Sequence, residues 1–359
     1  LWLFAATIAW TQESPSAKQE NQSVNQESSS VKKPTSTAEK IEYYQKQVEK
    51  HPKHYPAYAR LGRAWLEKAR KTYDPAALAD ARKALQRSLE IQPSYEAFYY
   101  SAEVASYSHR FEEALEWCRK AAEAYPEDKS VLAIRVDALM ALGRRDEARA
   151  AIGGNQVVAT DFYTAAALGH WLVAGDQREE AVAQFLAAAR YAKNQEATSF
   201  AVWATVMAAG VWLDAGDLAK AKPLLDEAAG LDSSDRILKI HQAELAAAED
   251  RPADSLRIYE ELLPGQPDPE LHRRAIVLAR KLGLTTAADE HFTTAERLCL
   301  RAVDAGEIFS LEVLAKLYCD AGRENEAVRF AERNFEVKRD AAAKETLERA
   351  RQASGAKQN

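Results

Sequence analysis

The chain has 359 residues, 47% hydrophobic and 28% charged, which is ample for a large core and by length alone suggests two or three domains. Only 14 glycines and 12 prolines stand against abundant alanine, a balance that favours helices over sheets. The net charge of -6 argues against a nucleic-acid partner, which calls for a basic surface, and three cysteines cannot complete a disulfide framework.

Leu1 to Trp10, LWLFAATIAW, is an apolar run too short to cross a bilayer, which takes about 20 residues. It fits the apolar part of a secretory signal peptide, with Thr7 and Ala9 placed like the small residues before a cleavage site. The expectation is therefore a secreted or periplasmic protein. An uncleaved membrane anchor is one alternative, and a cytoplasmic protein with an incidental apolar start is another. Residues 11–35 are rich in Ser, Gln, Glu, Asn and Lys and read as a disordered tether. Within them Asn21-Gln22-Ser23 matches a glycosylation acceptor, a match that chance supplies readily in such a tract.

Ser36 and Glu39 have capping-box spacing before an amphipathic run to Lys50, which Pro52 ends. From there a pattern repeats. A small residue early in each second helix recurs at Ala81, Ala114, Ala148, Ala181, Ala221, Ser255, Ala288 and Ala327, mostly at intervals of about 34. Four residues on comes a mostly bulky position: Leu85, Cys118, Ile152, Phe185, Leu225, Tyr259, Phe292 and Ala331. First helices carry their own small position at Gly62, Ala102, Gly169, Ala209, Ala243 and Ala315, with Val136 and Ile276 as departures. Gly143, Gly175, Gly216, Gly283 and Gly322 fall at the turns, where glycine supplies a left-handed helix end. Small residues let antiparallel helices approach closely, and each hairpin buries its apolar stripe on the next.

On these residues the chain resembles a tetratricopeptide repeat protein over roughly residues 53–335, a period of about 34 being that family's. The resemblance implies an all-α fold: a right-handed superhelical solenoid of about eight TPR-like hairpins with terminal capping helices. Residues 36–152 form an N-terminal block, a capping helix plus repeats one to three. Residues 160–335 form a C-terminal block of repeats four to eight, and 336–359 a polar capping helix and tail. Gly153-Gly154 reads as a break between the blocks. The stretch from Lys68 to Pro75 is expected to lengthen the turn of repeat one. Wider spacing after repeats four and seven is expected to be absorbed by added helical turns.

No catalytic constellation emerges. There is no phosphate-cradling glycine loop, no Gly-x-Ser-x-Gly and no His-Glu-x-x-His. His51 and His54 flank Pro52 without a nearby Cys, and no metal or cofactor is expected. Cys118 occupies a core position and reads as a buried, inert thiol, while Cys299 and Cys319 are too far apart along their helices to pair.

The resemblance implies a non-catalytic scaffold or adaptor whose concave groove, lined by first helices, holds a protein or peptide. The register points Tyr99, Glu103, Tyr107, Asp137, Tyr163, His170, Trp203 and Val206 to that face, with Arg273 and Arg280 near the carboxyl end. Trp203 and Tyr163 read equally well as packed between repeats. The alternative activity is a helical-toroid enzyme acting on carbohydrate, with Glu103 and Asp137 as its carboxylates.

Overall fold

A computed structural model describes residues 34–154 and 156–355. The signal-like run, nearly all of the tether and the last four residues lie outside them. Among the described residues there are eighteen α-helices and no strand. They are α1 (Thr37–Lys50), α2 (Tyr55–Thr72), α3 (Pro75–Ile91), α4 (Tyr95–Tyr107), α5 (Phe111–Ala124) and α6 (Val131–Ala141). Next come α7 (Arg145–Ile152), α8 (Phe162–Val173), α9 (Arg178–Asn194), α10 (Thr198–Asp214), α11 (Leu218–Leu231) and α12 (Arg236–Ala248). The chain ends with α13 (Pro252–Leu262), α14 (Pro269–Lys281), α15 (Thr285–Asp304), α16 (Leu311–Asp320), α17 (Glu324–Val337) and α18 (Ala341–Gly355).

The helices pair in order from α2 with α3 to α16 with α17, and each pair stacks on the next. The small-residue column sits where hairpin helices touch: Ala81, Ala114, Ala148, Ala181, Ala221, Ser255, Ala288 and Ala327 are all at most 1% exposed. The reason is closeness. A Cβ added at Gly62 would lie 2.5 Å from Leu85, and one added at Gly169 would lie 2.8 Å from the Phe185 ring. The bulky column fills the groove behind, with all but the half-buried Phe292 excluded from solvent. The wider spacings are taken up inside helices: α9 and α10 have 17 residues each and α15 has 20.

The capping box at Ser36 and Glu39 forms as its spacing implies. Two turns differ from expectation. The extra residues of repeat one extend α2 itself to Thr72, leaving only Tyr73 and Asp74 before α3. Tyr73 takes the left-handed conformation at φ 53° and Asp74 caps α3 through the Ala76 amide. At the turn after α8 the left-handed residue is Asp176 (φ 57°), not Gly175. Gly175 lies under the Arg145 guanidinium, which donates to the Ala174 carbonyl, so an added side chain there would have to displace the arginine head.

At Gly153 and Gly154 both residues have positive φ, and α6 packs directly on α8. Val136, Leu139, Ala148 and Ile152 join one core with the residues of α8 to α12. That core centres on α10, in which every residue from Phe200 to Trp212 is buried, as a helix apolar on all sides requires. The three cysteines are free.

The solenoid closes on itself. The connection between α15 and α16 returns to the first repeats: Arg82 binds both Glu307 carboxylate oxygens at 2.5 and 2.7 Å, and Phe309 packs against Tyr73 and Tyr107. The Gln266 side chain donates to the Arg70 carbonyl, and the Arg339 amide donates to the Ala141 carbonyl. One coil of helices thus ends against its own beginning.

Candidate functional site: a cavity inside the coil

Closure leaves a cavity of about 660 Å³ on the inner side of the coil. Its wall comes from distant parts of the chain: Arg70 and Tyr73, Tyr107, Leu213 and Asp214, then α12, the 266–271 segment, α14, α16 and Lys338. Ile237, Ile240, Leu271, Val277, Leu278 and Val313 make much of it apolar, and Val277 is 50% exposed. Its volume lies within the range of ligand pockets, about 300–1,000 Å³.

Charged side chains cross this wall as interlocked pairs. Arg273 binds Glu270 at 2.8 Å and Asp320 at 2.7 Å. Arg274 joins Glu244, Glu270 and the Tyr259 hydroxyl. Lys316 and Lys338 share the Glu312 carboxylate, and Lys338 also meets Asp340 at 3.2 Å. Burial opposes ionisation of Glu270, yet the Arg273 guanidinium holds its carboxyl down to about 2. Burial likewise opposes charge on Glu312, and the two lysines pull it well below the usual range. Asp268 caps α14 through the Glu270 and Leu271 amides, and burial pushes its carboxyl up. Acidic and basic groups balance along the wall, so it carries no single-sign field.

The structure gathers part of the groove expected from sequence. Tyr107 and Arg273 line the cavity. Glu103 stands beside it, 3.5 Å from Arg70, whose guanidinium lies over the Tyr107 ring. Burial raises the Glu103 carboxyl, with Arg70 and Arg63 opposing. Arg280 is exposed and donates to the Asp320 carbonyl. The remaining residues stand apart from the cavity. Tyr99 is buried against Tyr95 and Tyr100, and half-buried Tyr163 packs on Phe162. Trp203, 3% exposed, is enclosed by Phe162, His170 and Phe185, and Val206 has no exposed surface. Here α10 is buried on every side, which takes Trp203 and Val206 into the core.

His170 and Trp203 each keep a buried ring nitrogen without a hydrogen-bond partner. Burial lowers the His170 imidazole to about 4. Asp137 is buried and burial alone raises its carboxyl to about 8. Among the described residues no group of three or more His, Cys, Asp or Glu is placed to hold a metal ion.

Much of the cavity wall was within reach of the sequence register. Glu103, Asp137 and His170 each follow the small position of a first helix, and the same step gives Glu244, Val277 and Lys316. Tyr99, Val206 and Arg273 precede it by three, as do Ile240 and Glu312. Arg70 and Lys338 have no such signal, because only closure of the coil brings them to the wall.

No protein-family model matches the chain, and no curated protein matches it. Solved structures do. A monomeric IFIT1 variant with m7Gppp-AAAA is similar over 83% of this chain and 76% of its own, at 14% identity and TM-score 0.52. A tetratricopeptide repeat protein from Parabacteroides merdae matches over 86% of this chain and 99% of its own, at 13% identity and TM-score 0.36. YrrB, a TPR protein with an unusual peptide-binding site, matches over 55% of this chain and 96% of its own, at 18% identity and TM-score 0.33. Identities this low speak to fold. Stacked helical hairpins with a period of about 34 and small residues buried at each contact make this chain a TPR-like protein.

Proposed function

We propose that the protein is a non-catalytic scaffold that holds a segment of another protein against the inner wall of its coil. The carrying observation is the cavity itself, which combines an open apolar surface with charges already neutralised in pairs. Such a wall favours a neutral, apolar stretch of polypeptide over a charged ligand, because a buried charge without a partner is costly. Glu103 is buried against Arg70 and Asp137 is buried outside the cavity lining, so the two carboxyls do not flank one open site, which supports binding rather than glycoside hydrolysis.

A displayed library of random peptides, selected on the intact protein, tests the reading. Binders should be enriched in apolar residues, and Val277→Asp or Ile240→Asp should weaken them at least about tenfold, as expected for loss of a central apolar contact. Binders indifferent to both changes would place the site elsewhere. Export to the cell envelope is part of the same proposal and rests on LWLFAATIAW. Mass spectrometry of the mature amino terminus tests it, and retention of that run would argue for an anchor or a cytoplasmic protein.

A further inference from the structure

The seam that closes the coil is built like a recognition site already holding its ligand. The occupant is the connection Ala305–Ser310 between α15 and α16, reading AGEIFS. Gly306 turns the chain at φ 80°, and the Glu307 amide donates to the Ala302 carbonyl. These two features turn Glu307 and Phe309 toward the first repeats. Both are nearly excluded from solvent, at 3% and 1% exposure.

Glu307 directs both carboxylate oxygens to Arg82, and the same arginine nitrogen meets the Ser108 hydroxyl at 3.0 Å. The Phe309 ring sits between Tyr73 and Tyr107, with centroids 5.0 and 5.2 Å away. The receiving surface is assembled from the end of α2, from α3 and from the end of α4, about 225 residues upstream of its occupant. It has the make-up of an interface anchor point: a buried carboxylate held by a partly exposed arginine, beside an aromatic ring in a pocket.

Beside this anchor the seam holds Ala302 in the same apolar cluster, an Arg301–Asp74 pair at 2.5 Å that is half exposed, and single hydrogen bonds from the Gln266 side chain to the Arg70 carbonyl and from the Arg339 amide to the Ala141 carbonyl. In a solenoid each hairpin is stabilised by its sequence neighbours, so the hairpins do not need the seam in order to fold. A tethered loop acts at an effective concentration of about a millimolar, so a modest intrinsic affinity keeps it docked. Tyr73 and Tyr107 also line the central cavity, so releasing Phe309 opens the cavity wall at the seam.

We propose that this seam is a latch. The surface formed by Tyr73, Arg82, Tyr107 and Ser108 recognises a segment in which an acidic residue stands two places before an aromatic one. The chain supplies that segment to itself through Glu307 and Phe309. A protein partner presenting the same pattern competes for the surface, displaces the loop and opens the coil. The latch requires no occupant in the central cavity, so it stands or falls separately from the cavity's role.

The test uses the full chain and a fluorescent peptide of residues 303–312. The variant carrying Glu307→Ala and Phe309→Ala frees the surface, and its circular dichroism establishes that it is folded. It should bind the peptide at least about tenfold more tightly than the intact chain does. Adding Arg82→Ala should remove about tenfold of that affinity, the loss expected for a charge-assisted hydrogen bond to a buried carboxylate. Equal binding by all three proteins, or none by the freed variant at several times the effective concentration, overturns the latch. A second readout needs no destabilising change. With Cys319→Ser, spin labels placed at Lys83 and Asp304 of the otherwise native chain should report a broader, longer distance distribution when excess peptide is added. A distribution that saturating peptide leaves unchanged also overturns it.

Discussion

Gly169 on α8 faces the Phe185 ring on α9, and the two residues test whether small side chains are there for contact. A Cβ built at Gly169 lies 2.8 to 2.9 Å from three atoms of that ring, closer than carbon atoms normally approach. Phe185 is fully buried and touches His170 and Trp203, so it cannot swing aside. Overpacking of this kind costs about 1–3 kcal/mol. Alanine returns about 1 kcal/mol through better helix propensity. Gly169→Ala should therefore range from neutral to a loss of about 2 kcal/mol, against a gain at an uncrowded glycine. Gly230 on α11 is the control, because an added Cβ there meets nothing within 4 Å. Gly230→Ala should stabilise by about 0.4–1 kcal/mol through the unfolded chain. Urea unfolding followed by circular dichroism compares the midpoints of parent and variants. In a Phe185→Leu background, which opens space, the penalty of Gly169→Ala should shrink. If Gly169→Ala were as stable as Gly230→Ala, the close helix approach would be wrong.

Trp212 is buried and lies under Lys220 at 3.9 Å, so Trp212→Ala should cost about 3–5 kcal/mol and lower the urea midpoint. Asp137 gives a pH dependence of definite sign. Its folded carboxyl is raised to about 8, above the ordinary value, so the folded state holds a proton the unfolded state has already released. Its contribution is complete below about pH 4 and is lost as pH rises towards 8, at up to about 1.4 kcal/mol per pH unit. Midpoints measured from pH 5 to 8 should therefore fall less steeply in Asp137→Asn than in the parent. For the thiols, Cys118 and Cys299 are buried and burial raises both, whereas Cys319 is half-buried. A thiol reagent should modify Cys319 first in the native protein and all three cysteines in denaturant. Rapid native reaction at Cys299 would contradict its burial in the core of the last hairpins.

The repeat was legible because its cause is local. Ala81, Ala114, Ala181 and Ala288 are small for contacts within one hairpin, and such contacts recur with the period of the chain. Exchanges between equivalent solutions were harder to read. Tyr73 and Asp176 take left-handed turns that glycine usually fills, and Gly175 sits beside Asp176 without a left-handed φ of its own. The inner face was legible in register but not in exposure. Glu103, Tyr107 and Arg273 come to or beside the cavity, whereas Trp203 and Val206 are taken inward by the all-round burial of α10. Closure left no periodic trace, because Arg82 and Glu307 meet through the pitch of the whole coil and not through any local spacing.

The array of hairpins returns to its own beginning and surrounds a cavity. Electron–electron distance measurement between spin labels at Lys83 and Asp304, with Cys319 replaced by Ser, reads that closure in the protein alone. The closed coil predicts one narrow distribution at short distance, because these exposed positions adjoin the paired Arg82 and the start of the Glu307 loop. A broad distribution reaching the span of an open array would contradict it.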